Sequence, residues 1–249
     1  MPGLIPSAVV AAAMLAGPPS DSKAPAKAAA PVRGALDARP DSDGPKRVEI
    51  IVERQKDGRT ERMDPSHVFE SGELVRFRFR ATFNGYLYVM NHSTSGRYVL
   101  LFPKEETGTQ NRIEAGREYL VPMTESGWFR LEGPAGHEIV YWLVSPVRLS
   151  ESGPSRLDIP KLPAPAQSLN PSITPRCDDT IFKARGECID NSAGLKPLKP
   201  NSALPENLSE FEDITVRELT MVKSNKAAAV SAPADSDEPF IYTLRLAHR

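Results

Sequence analysis

The stretch GYLYVMNHSTSGRYVLLFPKEE, residues 85–106, constrains the fold of this chain more than any other. Two apolar runs, rich in β-branched and aromatic residues, flank the polar loop NHSTSG, whose Asn, Ser and Gly suit a hairpin. Neither run alternates between apolar and polar. Tyr86, Tyr88 and Met90 share one face and Leu87 and Val89 the other; Tyr98, Leu100 and Phe102 oppose Val99 and Leu101. IVYWLV, Ile139 to Val144, repeats the pattern. Strands that are apolar on both faces need a covering layer on each side. The proline-rich segment after Ser150 is expected to supply the second cover. If it leaves that face bare, Leu87, Val89, Val99 and Leu101 become a candidate partner patch.

Other segments read as strands with one wet face. KRVEIIVER sets Val48, Ile50 and Val52 against charged neighbours and runs into the turn Asp57-Gly58. LVRFRFRA places Val75, Phe77, Phe79 and Ala81 opposite Arg76, Arg78 and Arg80, the wet face of a sheet. REYLVPM, WFRLEGPAGHEIVYWLVS, ITVRELTMV and FIYTLRLAHR add further strands separated by turn signals. Short strands, regular turns and almost no helical periodicity predict an all-β chain: an antiparallel β-sandwich, immunoglobulin-like in general architecture, with a long proline-rich insertion.

The N-terminus carries an apolar run from Ala8 to Ala16 and an A-x-A sequence at Ala24-Pro25-Ala26, so residues 1–26 read as a secretory signal peptide. Residues 27–45 read as a disordered linker. A single domain is then expected over 46–249. It includes a proline-rich insertion at 150–209, bearing Cys177 and Cys188, and returning C-terminal strands over 210–249, because two isolated strands cannot stand alone. Export implies a periplasmic or cell-surface location and a Cys177–Cys188 disulfide; the alternative is a cytoplasmic protein with free thiols. No stretch is long and apolar enough for a transmembrane segment. With 31 Lys and Arg against 32 Asp and Glu, the net charge of -1 provides no global field for nucleic acid.

Catalytic motifs are missing from the sequence. There is no G-x-G-x-x-G, P-loop, G-x-S-x-G or H-E-x-x-H. His67, His92, His137 and His248 lack metal-ligand spacing, and no cofactor or metal is expected. Ser93, Ser95 and His92 read as hairpin polarity rather than a nucleophilic site. Glu105 and Glu106 read as solvated charge, and Trp128 and Trp142 as core aromatics in strands. Lys183 and Arg185, inside the cysteine loop, raise one sharper alternative: a protease inhibitor presenting a basic residue on a closed loop.

Several short motifs occur in a fixed order: Ser71-Gly72-Glu73, Gly85 to Val89, Leu101-Phe102-Pro103, Asn111 to Gly116, Tyr119 to Pro122 and Gly133 to Glu138. Over residues of about 65 to 147 the chain resembles the bacterial domain of unknown function 4384. The resemblance implies an exported or envelope-associated β-sandwich module to which no catalytic residues are assigned. It marks Gly85, Tyr86, Tyr88, Phe102, Pro103, Gly116, Pro122, Gly133 and Gly136 as family-motif residues of structural importance. The resulting expectation is a non-catalytic binding or structural module of the cell envelope that engages a protein partner, with the oligomeric state left open. The alternative is a loop-based enzyme or inhibitor presenting the Cys177–Cys188 loop.

Overall fold

Chain segments whose side chains alternate in and out can close on each other face to face, and two such layers form here. The computed structural model describes residues 44–124, 127–146, 174–198, 219–224, 226–235 and 237–249. The expected leader at 1–26, nearly all of the linker at 27–45, and residues 147–173 and 199–218 of the insertion and its flanks lie outside the described residues.

The first sheet runs in the order β12 (Thr220–Ser224), β13 (Ala227–Ala232), β1 (Lys46–Lys56), β4 (Leu74–Ala81) and β8 (Glu118–Val121). β2 (Arg59–Met63) pairs with β1, and β9 (Phe129–Arg130) with β4. The second runs β11 (Gly194–Lys196), β14 (Phe240–His248), β10 (Gly136–Ser145), β5 (Gly85–His92) and β6 (Tyr98–Phe102). β3 (Val68–Phe69) pairs with β14, and β7 (Arg112–Ile113) with β5. Among the described residues all pairings are antiparallel except β3 with β14. The protein is an all-β sandwich of two unclosed sheets.

The inner faces make one core. Phe77 and Phe79 of β4 meet Trp142 of β10, with ring centroids 5.3 and 5.7 Å apart. Tyr242 stacks on the same indole at 6.3 Å. The apolar runs are indeed covered on both sides, but the assignment of faces needs correction. Leu87 and Val89 are fully buried in the inter-sheet core, so they cannot belong to an exposed partner patch. Tyr88 and Met90 face outward into a second buried cluster with Ile139, Tyr141, Leu143 and Ile241. Leu198, from the proline-rich segment, packs on that cluster, and β11 from the same segment pairs with β14.

Strict alternation also misplaces Phe102. Val89 pairs with Phe102 but Met90 with Leu100, so Leu101 is an extra residue in a β-bulge. The bulge turns Phe102 inward beside Val89 instead of outward with Tyr98 and Leu100.

Among the elements that escaped the sequence reading, two show opposite causes. β13 is alanine-rich, a composition with low strand propensity, yet Ala228, Ala229 and Ala232 are buried where the strand pairs with β1. Inside the cysteine loop lies a short helix, α1 (Asp179–Arg185). Its signals were present: Asp178 caps it by accepting from the Thr180 and Ile181 N–H groups, and Gly186 closes it in the left-handed conformation. The Cys177–Cys188 disulfide closes the loop around it.

Close approach of β5 to β10 leaves no room at Gly85, where a Cβ would fall 2.5 Å from the Ser145 carbonyl oxygen. Because the obstacle is backbone, Gly85→Ala must push the two strands apart. It is expected to cost about 1–3 kcal/mol, read as a lowered midpoint in thermal denaturation; an unchanged midpoint would contradict this packing.

Candidate functional site

Beyond the aromatic layer around Trp142 the two sheets separate into a cleft of about 310 Å³. Its walls differ. The first sheet and the segment after it offer apolar side chains: Val75, Phe77, Phe129 and Leu131. From the second sheet Val99, Leu101, Val140 and Leu246 are joined by Asn91 and Glu138. Ser93, Ser95 and Arg97 of the β5–β6 hairpin loop line it too, as do Arg130, Glu132 and Gly133. Strand alternation explains the placement. Asn91 follows Leu87 and Val89 on the inner face of β5, and Glu138 precedes Val140 and Trp142 on β10.

Glu138 organises this end of the sandwich. Its carboxylate accepts hydrogen bonds from the Asn91 Nδ2 at 2.5 Å, the Thr94 N–H at 3.1 Å and the Thr94 hydroxyl at 3.2 Å. His248 Nε2, fully buried at the end of β14, lies 3.4 Å from it. Burial alone would raise the Glu138 pKa, but His248, Asn91 and the Thr94 backbone outweigh it and hold the carboxyl below its ordinary range. A Cβ on Gly133 or Gly136 would come within 2.9 Å of Thr94 side-chain atoms. The Gly-Pro-Ala-Gly-x-Glu motif is therefore a clamp. Its glycines admit Thr94, and its glutamate binds Thr94 and so holds the hairpin loop in place.

The other family-motif residues also have structural places. Tyr86 and Tyr88 belong to the outer cluster, and Phe102 to the inner core. Pro103 and Pro122 follow cis peptide bonds. Gly116, at φ 77°, turns the chain so that its N–H reaches the Ala81 carbonyl at 2.7 Å. Of the four residues expected as a partner patch, Val99 and Leu101 line the cleft while Leu87 and Val89 lie in the core. Sequence reasoning missed Asn91, Glu138 and Arg97 as a group, since Glu138 is far in sequence from the hairpin that carries the other two; inward parity was the available signal.

Ser93 and Ser95 contact each other, their hydroxyls 2.7 Å apart, whereas His92 faces away and stacks on Tyr98 at 4.1 Å. A serine, histidine and aspartate do meet elsewhere. Ser192 Oγ lies 3.0 Å from His137 Nε2 and donates to Asp190 Oδ1 at 2.6 Å, and Asp190 Oδ2 is 3.3 Å from that same Nε2. A nucleophilic relay needs serine on one ring nitrogen and carboxylate on the other. Here both meet Nε2, and the serine proton goes to the aspartate. Asp190 also accepts from the Ser192 and Arg176 N–H groups, so the cluster anchors the cysteine loop to β10. Lys183 and Arg185 lie in α1, and so are helical rather than extended as a substrate-like inhibitor requires. Among the described residues no three His, Cys, Asp or Glu side chains are grouped to hold a metal, and no helix is long and apolar enough to cross a membrane.

Because the folded pKa of Glu138 is depressed, its stabilising contribution is complete above the ordinary value of 4.5 and is lost as pH falls through the lower folded value. Glu138→Gln is expected to destabilise the protein at pH 7 by about 1.5–3 kcal/mol. The gap to wild type should narrow below pH about 4 in denaturant unfolding followed by circular dichroism. A gap independent of pH would refute the role of the charge.

No curated protein and no solved structure matches the chain. A family model described as Domain of unknown function (DUF4384) matches residues 68–148. That span holds the clamp, the β5–β6 hairpin and most of the cleft lining, and the segment carrying the ordered motifs belongs to that family.

Proposed function

We propose that this protein is a non-catalytic binding module and that the cleft between its sheets is the binding site. The observation that carries the reading is the cleft itself: a concavity between the two sheets, lined by apolar and polar side chains, with the hairpin loop held at its edge by the Glu138 clamp. Volumes near 300 Å³, mostly apolar walls and a few fixed polar groups are the ordinary makeup of a small-ligand site. A catalytic role is disfavoured because Glu138, the buried carboxylate at the cleft, is engaged by Asn91, Thr94 and His248 and held ionised. A carboxylate held ionised in this way is a weak base. The expectation of a protein partner came from the family resemblance, and Leu87 and Val89, buried in the core, offer such a partner no surface. The Cys177–Cys188 disulfide supports export to an oxidising compartment, periplasmic or cell-surface.

The test is a thermal-shift screen of saccharides, peptides, fatty acids and metal salts against wild type and Leu101→Trp, which fills the cleft. A ligand at ten times its Kd adds about 1.4 kcal/mol. The wild-type midpoint should therefore rise by roughly 2–6 °C and that of the filled variant should not, with the ligand recovered chemically unchanged. Equal stabilisation of both proteins, or conversion of the ligand, would overturn the proposal.

A further inference from the structure

Besides its tie to β10, the cysteine loop is seated on residues 66–68. The Val68 N–H donates to the Cys188 carbonyl at 2.9 Å and the Asp190 N–H to the Ser66 carbonyl at 2.8 Å, with His67 and Ile189 bridged between them. The side chain at the centre of this seat is an imidazole, 8 % exposed and edge-on to Phe69 with ring centroids 4.9 Å apart. We propose that His67 is an acid-sensitive latch. Neutral, it holds residues 66–68 against β1 and so keeps the cysteine loop seated; protonated, it loosens both.

The latch lies in what the ring faces. Arg54 of β1 brings Nη1 to 3.5 Å from His67 Nε2 and donates from the same nitrogen to Glu73 Oε1 at 3.1 Å, while its Nη2 donates to Glu61 Oε2 at 2.7 Å. A guanidinium is always charged and only donates. Nε2 is therefore the accepting nitrogen and the ring proton sits on Nδ1, which is buried and without a partner. A second proton, placed on Nε2, removes that acceptor. It also sets one N–H against another and brings two positive charges together, with nothing gained at Nδ1 in exchange.

Three carboxylates pull the other way: Asp64 in the turn before the seat, Glu73 before β4 and Glu187 in the cysteine loop. Two of them are already engaged. Asp64 accepts from Lys223 Nζ at 2.7 Å and from the Ser66 N–H at 2.8 Å, and Glu73 accepts from Arg54. Burial first, and the Arg54 charge second, outweigh all three and hold the ring below its ordinary value of 6.5. A ring released by opening of the seat takes up its proton near 6.5, whereas the seated ring resists it. The contribution of His67 to closure is thus complete above 6.5 and is lost as pH falls through the lower folded value.

The experiment follows the full oxidised chain by nuclear magnetic resonance as a function of pH. A local readout is needed because burial also holds His92 low. The His67 ring carbons report its titration. Hydrogen exchange of the Val68 and Asp190 amides, corrected for the intrinsic pH dependence of exchange, reports the seat, with the Val140 and Leu244 amides of the paired strands β10 and β14 as reference. The ring is expected to titrate below 6.5. Protection of Val68 and Asp190 relative to the reference should fall roughly tenfold between about pH 7 and pH 5. In His67→Gln, whose amide oxygen accepts from Arg54 but takes up no proton, that fall should be absent. A ring that titrates at or above 6.5, protection independent of pH, or an equal fall in His67→Gln overturns the proposal. Should the variant fail to fold, the wild type still decides: the loss of protection must begin near 6.5 and cease below the midpoint of the ring itself, and a loss set elsewhere overturns the latch.

Discussion

The indole of Trp142 is the contact on which the rest of the structure depends. It lies on β10, the strand that pairs with both β5 and β14, and it is gripped by Phe77 and Phe79 from the opposite sheet and Tyr242 from its own. Large rings at this level set the separation of the sheets. The next level along the strands carries Val140, Asn91 and Val99 on one side and Val75 on the other, side chains too small to fill the same gap. The cleft is the space that remains. The layer that stabilises the sandwich therefore also creates its candidate site.

The two outer faces solve the problem of exposure in different ways. On the first sheet, Glu53 of β1, only 2 % exposed, accepts from Arg76 Nε at 2.7 Å and Arg78 Nε at 2.8 Å. Burial alone would raise its pKa, but these two guanidinium groups outweigh that effect and hold the carboxyl low. Arg78 also bonds Glu118, and Arg76 lies over the Trp128 ring at 4.3 Å. Arg76 and Arg78 of LVRFRFRA are thus neutralised in place. The second sheet covers its outer face with tyrosine and aliphatic packing, joined by Leu198 of the proline-rich segment.

Much of the fold was legible in the chain because strand parity is local. LVRFRFRA could have only one core face, and its burial alternates along its whole length. Turn glycines and the Gly-Pro-Ala-Gly-x-Glu run marked where strands end and where a loop had to be gripped. The candidate site was less legible. Asn91, Arg97 and Glu138 look like solvated polarity in their own segments, and they line one gap only because β10 pairs with β5 and so brings Glu138 to the hairpin that carries the other two. The bulge at Leu101 shows the same limit. Nothing in RYVLLF announces an extra residue, yet without it Phe102 would leave the core. In β13, pairing with β1 overrode the weak strand propensity of alanine, whereas α1 formed where capping signals in the sequence already favoured it.

By itself, then, the sequence determined an all-β sandwich, its apolar strands, the family of its central segment and the absence of recognisable catalytic motifs. Those properties follow from residue periodicity, turn chemistry and short-range order, which need no long-range contact to be read. The tertiary structure alone decided which face of GYLYVM is core and which residue of the hairpin strand is extra. It also decided that Glu138 of the Gly-Pro-Ala-Gly-x-Glu run is a clamp, and that apolar and polar side chains from both sheets meet around a cleft. These are matters of register between strands far apart in the chain, where a shift of one residue exchanges every inward side chain for its outward neighbour.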